Sequence, residues 1–550
     1  MKRRRFLYGG ASVGGAMVLG GTADTAAAAE NAHEAVGTPV TITPADRNYQ
    51  DLVRGWNQRY IGKPEAVHLV SSTAQVVAAV QQAVRENKRI SLRSGGHCYE
   101  NFVFHPEAQV VVDLSEMRSV TYDAERKAFA VESGARLLDV YEQLYRHWGV
   151  AVPAGICFAV GAGGHVSGGG WGMLCRRDGL VSDHLYAVEV VVVNAAGTAR
   201  AVIATREESD PNRDLWWAHT GGGGGNFGVV TRYWFRSPDA TGSDPADQLP
   251  RPPAEVLLSA VSWPWSSLSR EDFTTLVKNY GAWHEAHSAP GGPYAGLCSY
   301  FALSHRSNGS IGLITQMDAT VPNAEKLLED YLAAVAKGVS VPREALTTQM
   351  GEHGPMPEFA KPRTLPWLQA TRYLGVTNAT VNDPTLKGDF KSSYMRRNFP
   401  DSHVAALYKH LTRDDIDNPT AAVMLSSFGG QVNAVEEDAT ASAHRDAAFK
   451  VAWMLWWTDP ADEAKSLAWI RESFQEVYAE TGGVPVPNDV TDGCYVNYPD
   501  IDLGDPKYNT SDVPWHDLYY KGNYPRLQAV KKKYDPRNVF RHSQSVRLPD

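Results

Sequence analysis

Apolar and polar residues follow two different rhythms along this chain, and the change between them falls near residue 240. Between about 60 and 240, short apolar runs alternate with amphipathic stretches. Residues 67–70 have the length of a strand. Ser72 or Thr73 then offers a helix cap, and Val76, Val77, Val80 and Val84 fall on one helical face. Residues 89–93 return as a strand that runs into Ser94-Gly95-Gly96, and 110–114 and 128–133 read as further strands. Residues 136–148 predict an amphipathic helix with Leu137, Tyr141, Leu144 and Trp148 at its apolar spacing. Residues 187–193 and 227–235 predict buried strands. Residues 237–253, rich in Pro, Asp, Ser and Gly, carry no periodicity and read as a linker. Beyond them the elements lengthen. Residues 294–304 and 310–319 flank Asn308-Gly309, a hairpin signal; 421–427 and 449–457 read as strands, and 323–336 and 462–480 as helices. The whole is an α+β pattern whose middle part, about 250–485, predicts an antiparallel sheet backed by helices.

Composition narrows the classes. The chain has 550 residues, 43% hydrophobic and 21% charged, which suits a globular protein with several domains. A net charge of -9, with no basic run beyond the first residues, argues against a nucleic-acid or anionic-membrane partner. That start is itself informative. Arg3-Arg4-Arg5-Phe6-Leu7, a short glycine-rich apolar run over 9–21 and four alanines at 26–29 predict a removable signal segment over residues 1–29. Its R-R-x-F-L pattern resembles a twin-arginine export signal, so the mature protein is expected to be secreted. The five cysteines (Cys98, Cys157, Cys175, Cys298, Cys494) are odd in number and scattered, which excludes a disulfide scaffold or zinc knuckle. No H-E-x-x-H or other paired-ligand spacing supports a metal, and no G-x-S-x-G supports a hydrolase.

Three glycine clusters carry the chemistry: Arg93-Ser-Gly-Gly-His97, Gly161-Ala-Gly-Gly-His-Val-Ser-Gly-Gly-Gly-Trp-Gly172, and Gly221-Gly-Gly-Gly-Gly-Asn-Phe-Gly228. Glycine permits close backbone approach, and successive amides form anion-binding nests. Three such loops between strands suit a ligand with a long phosphate-bearing spine, such as a dinucleotide. None has the context of a Rossmann fingerprint or a P-loop.

Arg93-Ser-Gly-Gly-His97, Cys157 placed 60 positions after the histidine, and the Gly-x-Gly-Gly-His-x-Ser-Gly-Gly-Gly-Trp-Gly run together resemble the berberine bridge enzyme-like oxidases of the vanillyl-alcohol-oxidase superfamily. Tyr495-Val-Asn-Tyr-Pro-Asp500, Tyr519-Tyr520, Asn523-Tyr524 and Lys533-Tyr-Asp-Pro-Arg-Asn-Val-Phe540 extend the resemblance to the C-terminus. It implies a PCMH-type FAD-binding domain over 30–240, a substrate domain over 241–490, and a C-terminal segment over 491–550 that completes the first. It also implies FAD held covalently through His97 and Cys157. Ser94, Gly95 and Gly96 would sit at the pyrophosphate, with Arg93 beside them among the cofactor-binding residues. Gly161, Gly164, His165, Gly168, Gly169, Gly172, Gly225, Asn226 and Val230 would line the rest, with Asn538, Phe540 and Gln544 closing over it. Cys98 is expected to turn away from the flavin ring.

Alcohol oxidation needs a base for the hydroxyl proton, and tyrosine serves only if cationic or hydrogen-bonding neighbours lower its pKa. The resemblance puts that role on Tyr498, with Tyr394 of Lys391-Ser-Ser-Tyr394 as a second candidate. Val160 matches the small residue that admits oxygen, so molecular oxygen is the expected acceptor and hydrogen peroxide the by-product. Ala434 stands where plant alkaloid-forming members carry a catalytic glutamate, which argues against a berberine-type ring closure. Three activities stay open: oxidation of a hydroxyl or similar carbon of a small-molecule secondary metabolite, oxidation of an oligosaccharide to a lactone, and flavin binding without catalysis. Trp263, Trp265, Trp367, Trp453, Trp456 and Trp457 could stack a planar or sugar substrate, but most are expected in the core.

Overall fold

The valine-faced helix forms over Thr73–Arg85, and the Ser72 hydroxyl accepts the Gln75 amide at its start. The computed structural model describes residues 37–375 and 379–549, so the signal segment lies outside the described residues. Val76, Ala79, Val80 and Ala83 of this helix pack on Ile90, Val110 and Val112. Those residues belong to a four-stranded sheet of β1 (Val40–Ile42), β2 (Ala66–Leu69), β3 (Ile90–Arg93) and β4 (Val110–Asp113), ordered β1-β2-β4-β3. β2, β4 and β3 run parallel. β3 therefore delivers Ser94-Gly95-Gly96 at the carboxyl end of a parallel sheet, where ligand crevices form.

A second sheet holds β5 (Val120–Asp123), β6 (Ala128–Glu132), β7 (Leu185–Val193), β8 (Ala199–Thr205) and β9 (Val229–Phe235) in the order β5-β6-β9-β7-β8, all antiparallel. The helix Leu137–Trp148 buries Leu137, Val140, Tyr141 and Leu144 and ends on Gly149 in the left-handed region. Residues 161–172, expected as a loop, begin instead with a short helix, Ala162–Ser167, where the Ser167 hydroxyl bonds back to the Gly163 carbonyl.

The third sheet is antiparallel and larger. It comprises β10 (Glu255–Pro264), β11 (Leu297–Ser304), β12 (Ser310–Asp318), β13 (Glu344–Ala345), β14 (Arg363–Pro366), β15 (Lys387–Met395), β16 (Ala422–Ser427) and β17 (Phe449–Trp457). Its order is β13-β10-β12-β11-β16-β17-β15, with β14 also on β10. The Asn308-Gly309 hairpin forms as expected, with Gly309 at φ 100°. Strand period decides which residue faces where. Val423, Leu425, Val451, Trp453 and Leu455 pack in one core with residues of the helices Arg270–Ala286, Ala324–Val335, Asp401–Leu411 and Glu463–Val477. Ala422, Met424, Ala452, Met454 and Trp456 form another with Ile156, Trp171 and Tyr495. Both faces are covered, and each fully buried large apolar side chain contributes roughly 1.5–3 kcal/mol.

The C-terminus returns to the glycine loop after residue 220. Lys531, fully buried in the helix Tyr524–Tyr534, donates to the Asn226 and Phe540 carbonyls and pairs with Asp535 at 2.7 Å. The Val546 amide donates to Asn226 Oδ1. Among the described residues no helix is long and apolar enough to cross a membrane.

Candidate cofactor and substrate cavity

A cavity of about 330 Å³ lies between the end of β3, the glycine loops, the third sheet and the C-terminal segment. Ser94, Gly95, Gly96 and His97 line it, as do Cys157, Val160, Gly161, Gly164 and His165. Gly225, Asn226, Val230, Phe540, Gln544 and Tyr498 complete the expected residues on its wall. All three glycine clusters thus reach one space.

Six expected residues stand off that wall. Arg93 turns to Asp113 of β4, 2.8 Å away. A Cβ on Gly168 would fall 2.1 Å from Asn497 Oδ1, on Gly169 2.5 Å from Ser442 Oγ, and on Gly172 1.7 Å from the Ala154 carbonyl. These glycines admit protein neighbours rather than a ligand. Asn538 supplies a left-handed turn at φ 51°. Tyr394, on the cavity-facing side of β15, is capped by His444 stacked at 4.4 Å and by Phe428 at 5.0 Å. Cys98 also reaches the wall; its thiol is taken by the amides of Glu100 and Phe102, and burial pushes it up to about 12.

The cofactor end fits a flat, phosphate-bearing ligand by two signs. Gly95 and Gly161 meet backbone to backbone, a Cβ on Gly95 falling 2.2 Å from the Gly161 amide, so those two glycines are demanded by the fold. Gly164 is different: a Cβ there would meet nothing within 4 Å, and on Gly224 only the Gly164 Cα at 3.7 Å. Packing does not require glycine at these two positions, and its absence of side chain leaves a slot. The second sign is unsatisfied polar atoms. Gln544 is fixed by donating to the Asp500 carbonyl, which leaves its buried Oε1 without a partner. His542, stacked on Phe102 at 4.1 Å, has both ring nitrogens buried without hydrogen-bond geometry, although the Gly224 carbonyl is near. Buried polar atoms of this kind cost about 1–3 kcal/mol each unless a ligand meets them.

His97 and His165 are both held down to about 4, by burial first and then by neighbouring cations: Arg136 and Arg93 for His97, Lys450 for His165. Their imidazoles are neutral at pH 7. His165 accepts the Gly155 amide through Nε2. Cys157 is raised well above the ordinary thiol range by burial.

The substrate end holds a lysine that sequence reasoning passed over. Lys450 of β17 is fully buried and stands behind the cavity wall, against three of its aromatic residues. Its ammonium lies 3.7 Å from the Trp171 ring, 4.4 Å from Tyr498 and 4.7 Å from Tyr495. Its Nζ is 3.5 Å from the Tyr498 hydroxyl. Burial lowers it to about 7. Glu352 does line the cavity, and burial raises it to about 7 against the pull of Lys450. Among the described residues its carboxyl has neither a hydrogen bond nor an ion pair. Burial lifts the Tyr498 phenol far above its usual range. Tyr99, stacked on Phe390 at 3.7 Å, closes one side. The Tyr495 hydroxyl accepts from the Trp171 amide and from Asn497 Nδ2. Trp171 is the tryptophan on this wall; none of the six expected candidates is. A lone lysine in the apolar run 449–457 was the available signal for Lys450. Glu352 offered none.

Residues 64–202 match the FAD binding domain family, and residues 494–547 the family described as berberine and berberine like. An aclacinomycin-N/aclacinomycin-A oxidase of Streptomyces galilaeus is 50% identical over 100% of this chain and 98% of its own. Among solved structures, a flavoenzyme of the shunt product recycling mechanism in caerulomycin biosynthesis is 47% identical, with a TM-score of 0.89 over 93% of this chain and 100% of that one. A glycopeptide hexose oxidase complexed with teicoplanin is 46% identical, with a TM-score of 0.86 over 92% of this chain and 99% of that one.

Proposed function

The chain belongs to the berberine bridge enzyme-like FAD-linked oxidases, and from that premise we propose that it is an exported enzyme holding FAD through both His97 and Cys157. It oxidises a hydroxyl-bearing carbon of a secondary metabolite and passes the electrons to oxygen, releasing hydrogen peroxide. The observation that carries this reading is that His97 and Cys157, 60 positions apart, line one cavity together with all three glycine clusters. Imidazole and thiolate are the side chains able to bond to an electron-poor ring. The neutral state of His97 keeps its lone pair available at pH 7.

FAD bound at this site supplies a two-electron acceptor that oxygen regenerates. The chain's own residues then have three tasks. Ser94, Gly95 and Gly96 present backbone amides to the phosphates, with Gly164 and Gly224 leaving room beside them. Tyr498 takes the substrate hydroxyl proton. A phenolate alone is costly in this buried position, but Lys450 stands 3.5 Å away with a pKa near 7 and can take the phenol's proton in turn. Tyrosine and lysine act as one base, competent once the pair has lost a single proton. Glu352 accepts hydrogen bonds from the substrate, which answers its lack of a protein partner. Tyr394, capped away from the cavity, supports the wall.

The relative named as an aclacinomycin oxidase supports a secondary metabolite, and the glycopeptide hexose oxidase supports one that bears a sugar. Glu352 beside the Tyr99–Phe390 stack also supports the second reading, a carbohydrate oxidised to its lactone. Peroxide release from oligosaccharides against glycosylated aromatic metabolites separates the two, and no flavin bleaching by either would leave flavin binding alone. The central test is simpler. Acid precipitation should keep the yellow colour with the protein, and peptide mapping should find flavin on His97 and Cys157. Release of all colour from the unaltered protein overturns the double attachment. Lysine in place of Arg3 and Arg4 should retain the protein inside the cell.

A further inference from the structure

Behind His97, on the side away from the cavity, stands Trp56. Its indole lies parallel to the imidazole, with ring centroids 5.7 Å apart and 16° between the planes. His97 lines the cavity and Trp56 does not. The backbone brings the two together: the Trp56 amide donates to the Gly96 carbonyl at 2.8 Å, and Gly55 approaches so closely that a Cβ there would be 2.7 Å from that same oxygen. The segment carrying Trp56 is fastened on its other side to the third sheet. Asn57, buried, donates to the Tyr99 and Gly388 carbonyls and accepts the Gly388 amide. The Gln58 amide donates to the Leu386 carbonyl, and Arg59 pairs with Asp389 at 2.8 Å. Tyr99 and Phe390 flank the indole at 5.8 and 6.0 Å. So much fastening around one partly buried tryptophan fixes the plane in which the His97 ring can lie.

We propose that Trp56 is a positioning residue for flavin attachment: its indole holds the His97 imidazole in one plane, with a ring nitrogen presented to the cavity. This rests on the reading that His97 bonds to FAD. Attachment replaces the imidazole N–H and one C–H of the flavin methyl group by an N–C bond; the two hydrogens leave with two electrons to oxygen as hydrogen peroxide. That bond needs the nitrogen lone pair aimed at the methyl carbon, and a ring free to rotate about its Cβ–Cγ bond aims poorly. A parallel aromatic partner restricts the rotation without competing for either nitrogen.

The test uses the full chain in a Cys157→Ala background, where His97 is the sole covalent link and acid-stable flavin reports that link directly. Cys157→Ala alone should retain most of its flavin after acid precipitation. Adding Trp56→Leu should lower the acid-stable fraction by about fivefold or more, while total flavin bound before acid stays nearly constant. Adding Trp56→Phe, which keeps a stacking ring, should restore most of it. Equal acid-stable flavin with leucine and tryptophan overturns the proposal. So does a phenylalanine variant as poor as leucine, and so does a parallel loss of total flavin, which would make Trp56 a matter of cofactor binding or folding. Failure of Cys157→Ala itself to retain any acid-stable flavin would instead remove the His97 linkage on which the proposal stands.

Discussion

At the cofactor end of the cavity, glycine backbone makes much of the wall, with Gly95 and Gly161 in direct contact and Gly164 and Gly224 leaving a slot; at the substrate end, walled by β16 and β17, side chains from separate strands make the surface. The first arrangement leaves contiguous traces in the chain, because a close backbone approach demands glycine at fixed neighbouring positions. The second leaves every other residue of a strand, mixed with core residues of the opposite face. Phe449, Val451 and Trp453 pack on helices, while Lys450 points the other way, behind the cavity-lining Trp171, Tyr495 and Tyr498. One end is thus specified by shape and the other by charge placed within an apolar wall, and substitutions at the two ends should fail in different ways.

The largest expected effect lies at the substrate end. Tyr498→Phe keeps the ring and its packing but removes the hydroxyl. Reduction of the flavin by substrate should slow by about 10²–10⁴, the usual range for a lost general base. Reoxidation of the reduced protein by oxygen should be unchanged, since it involves no substrate proton. Stopped-flow traces of the two half-reactions check this, and equal slowing of both would break the assignment.

At the cofactor end the sharper comparison is between two glycines three residues apart. Gly161→Ala places a Cβ 2.2 Å from Ser94 Oγ and 2.3 Å from the Gly95 amide, so the fold itself must shift, at about 1–3 kcal/mol. Gly164→Ala meets no neighbour and should leave the melting temperature of flavin-free protein unchanged. It should instead lower flavin content, by roughly half or more, because the methyl group enters the slot. Thermal unfolding with flavin quantitation distinguishes them; identical behaviour of the two variants would show that the slot is not where the ligand lies.

The same contrast explains what could be read in advance. The helix after Ser72, the strands on either side of it and the Asn308-Gly309 hairpin follow from local patterns, and the structure has them within one or two residues at most ends. β15 went unread because Lys387, Asp389 and Lys391 break its apolar run. Asp389 and Lys391 are buried only because Arg59 and the carboxylates of Asp500 and Asp502, far along the chain, pair with them. That His97 and Cys157 belong to one site was legible through the motifs around them, and both line the same cavity. Glu352 was not, since nothing local distinguishes a glutamate aimed into a cavity from one in water. Gly168, Gly169 and Gly172 look like the ligand-facing glycines in sequence, and only their neighbours show that Asn497, Ser442 and Ala154 fill that space.

A smaller effect belongs to Lys450. Its amine is free above about 7 and protonated below, so the proton-accepting form of the Tyr498–Lys450 pair gains population as pH rises through 7. Flavin reduction should therefore rise with pH across that window and level off above it. Lys450→Met should slow reduction by about ten- to a hundredfold and abolish that limb. Glu352 titrates in the same window, so Glu352→Gln is the needed control: it should weaken substrate binding and keep the limb. Loss of the limb in Glu352→Gln, with its survival in Lys450→Met, would transfer the titration to the glutamate.

The smallest effect is expected at Tyr394, and it bears most directly on how far the substrate end extends. Tyr394 shares the register position opposite Lys450 on β15, so sequence pattern and sheet topology both bring it near the base pair. Its ring, however, is sandwiched by His444 and Phe428, and its amide and carbonyl are spent on Gly493 and Asp492, which bind the strand to the C-terminal segment. A residue so enclosed contributes through packing, and removing one hydroxyl leaves that packing intact. Tyr394→Phe should therefore change flavin reduction by less than about threefold and stability by within about 1 kcal/mol. Measured beside Tyr498→Phe on the same substrate, a loss of two powers of ten in Tyr394→Phe would mean that the cavity opens past His444 when substrate binds. The boundary between the wall and the chemistry would then lie one strand further out than the resting geometry puts it.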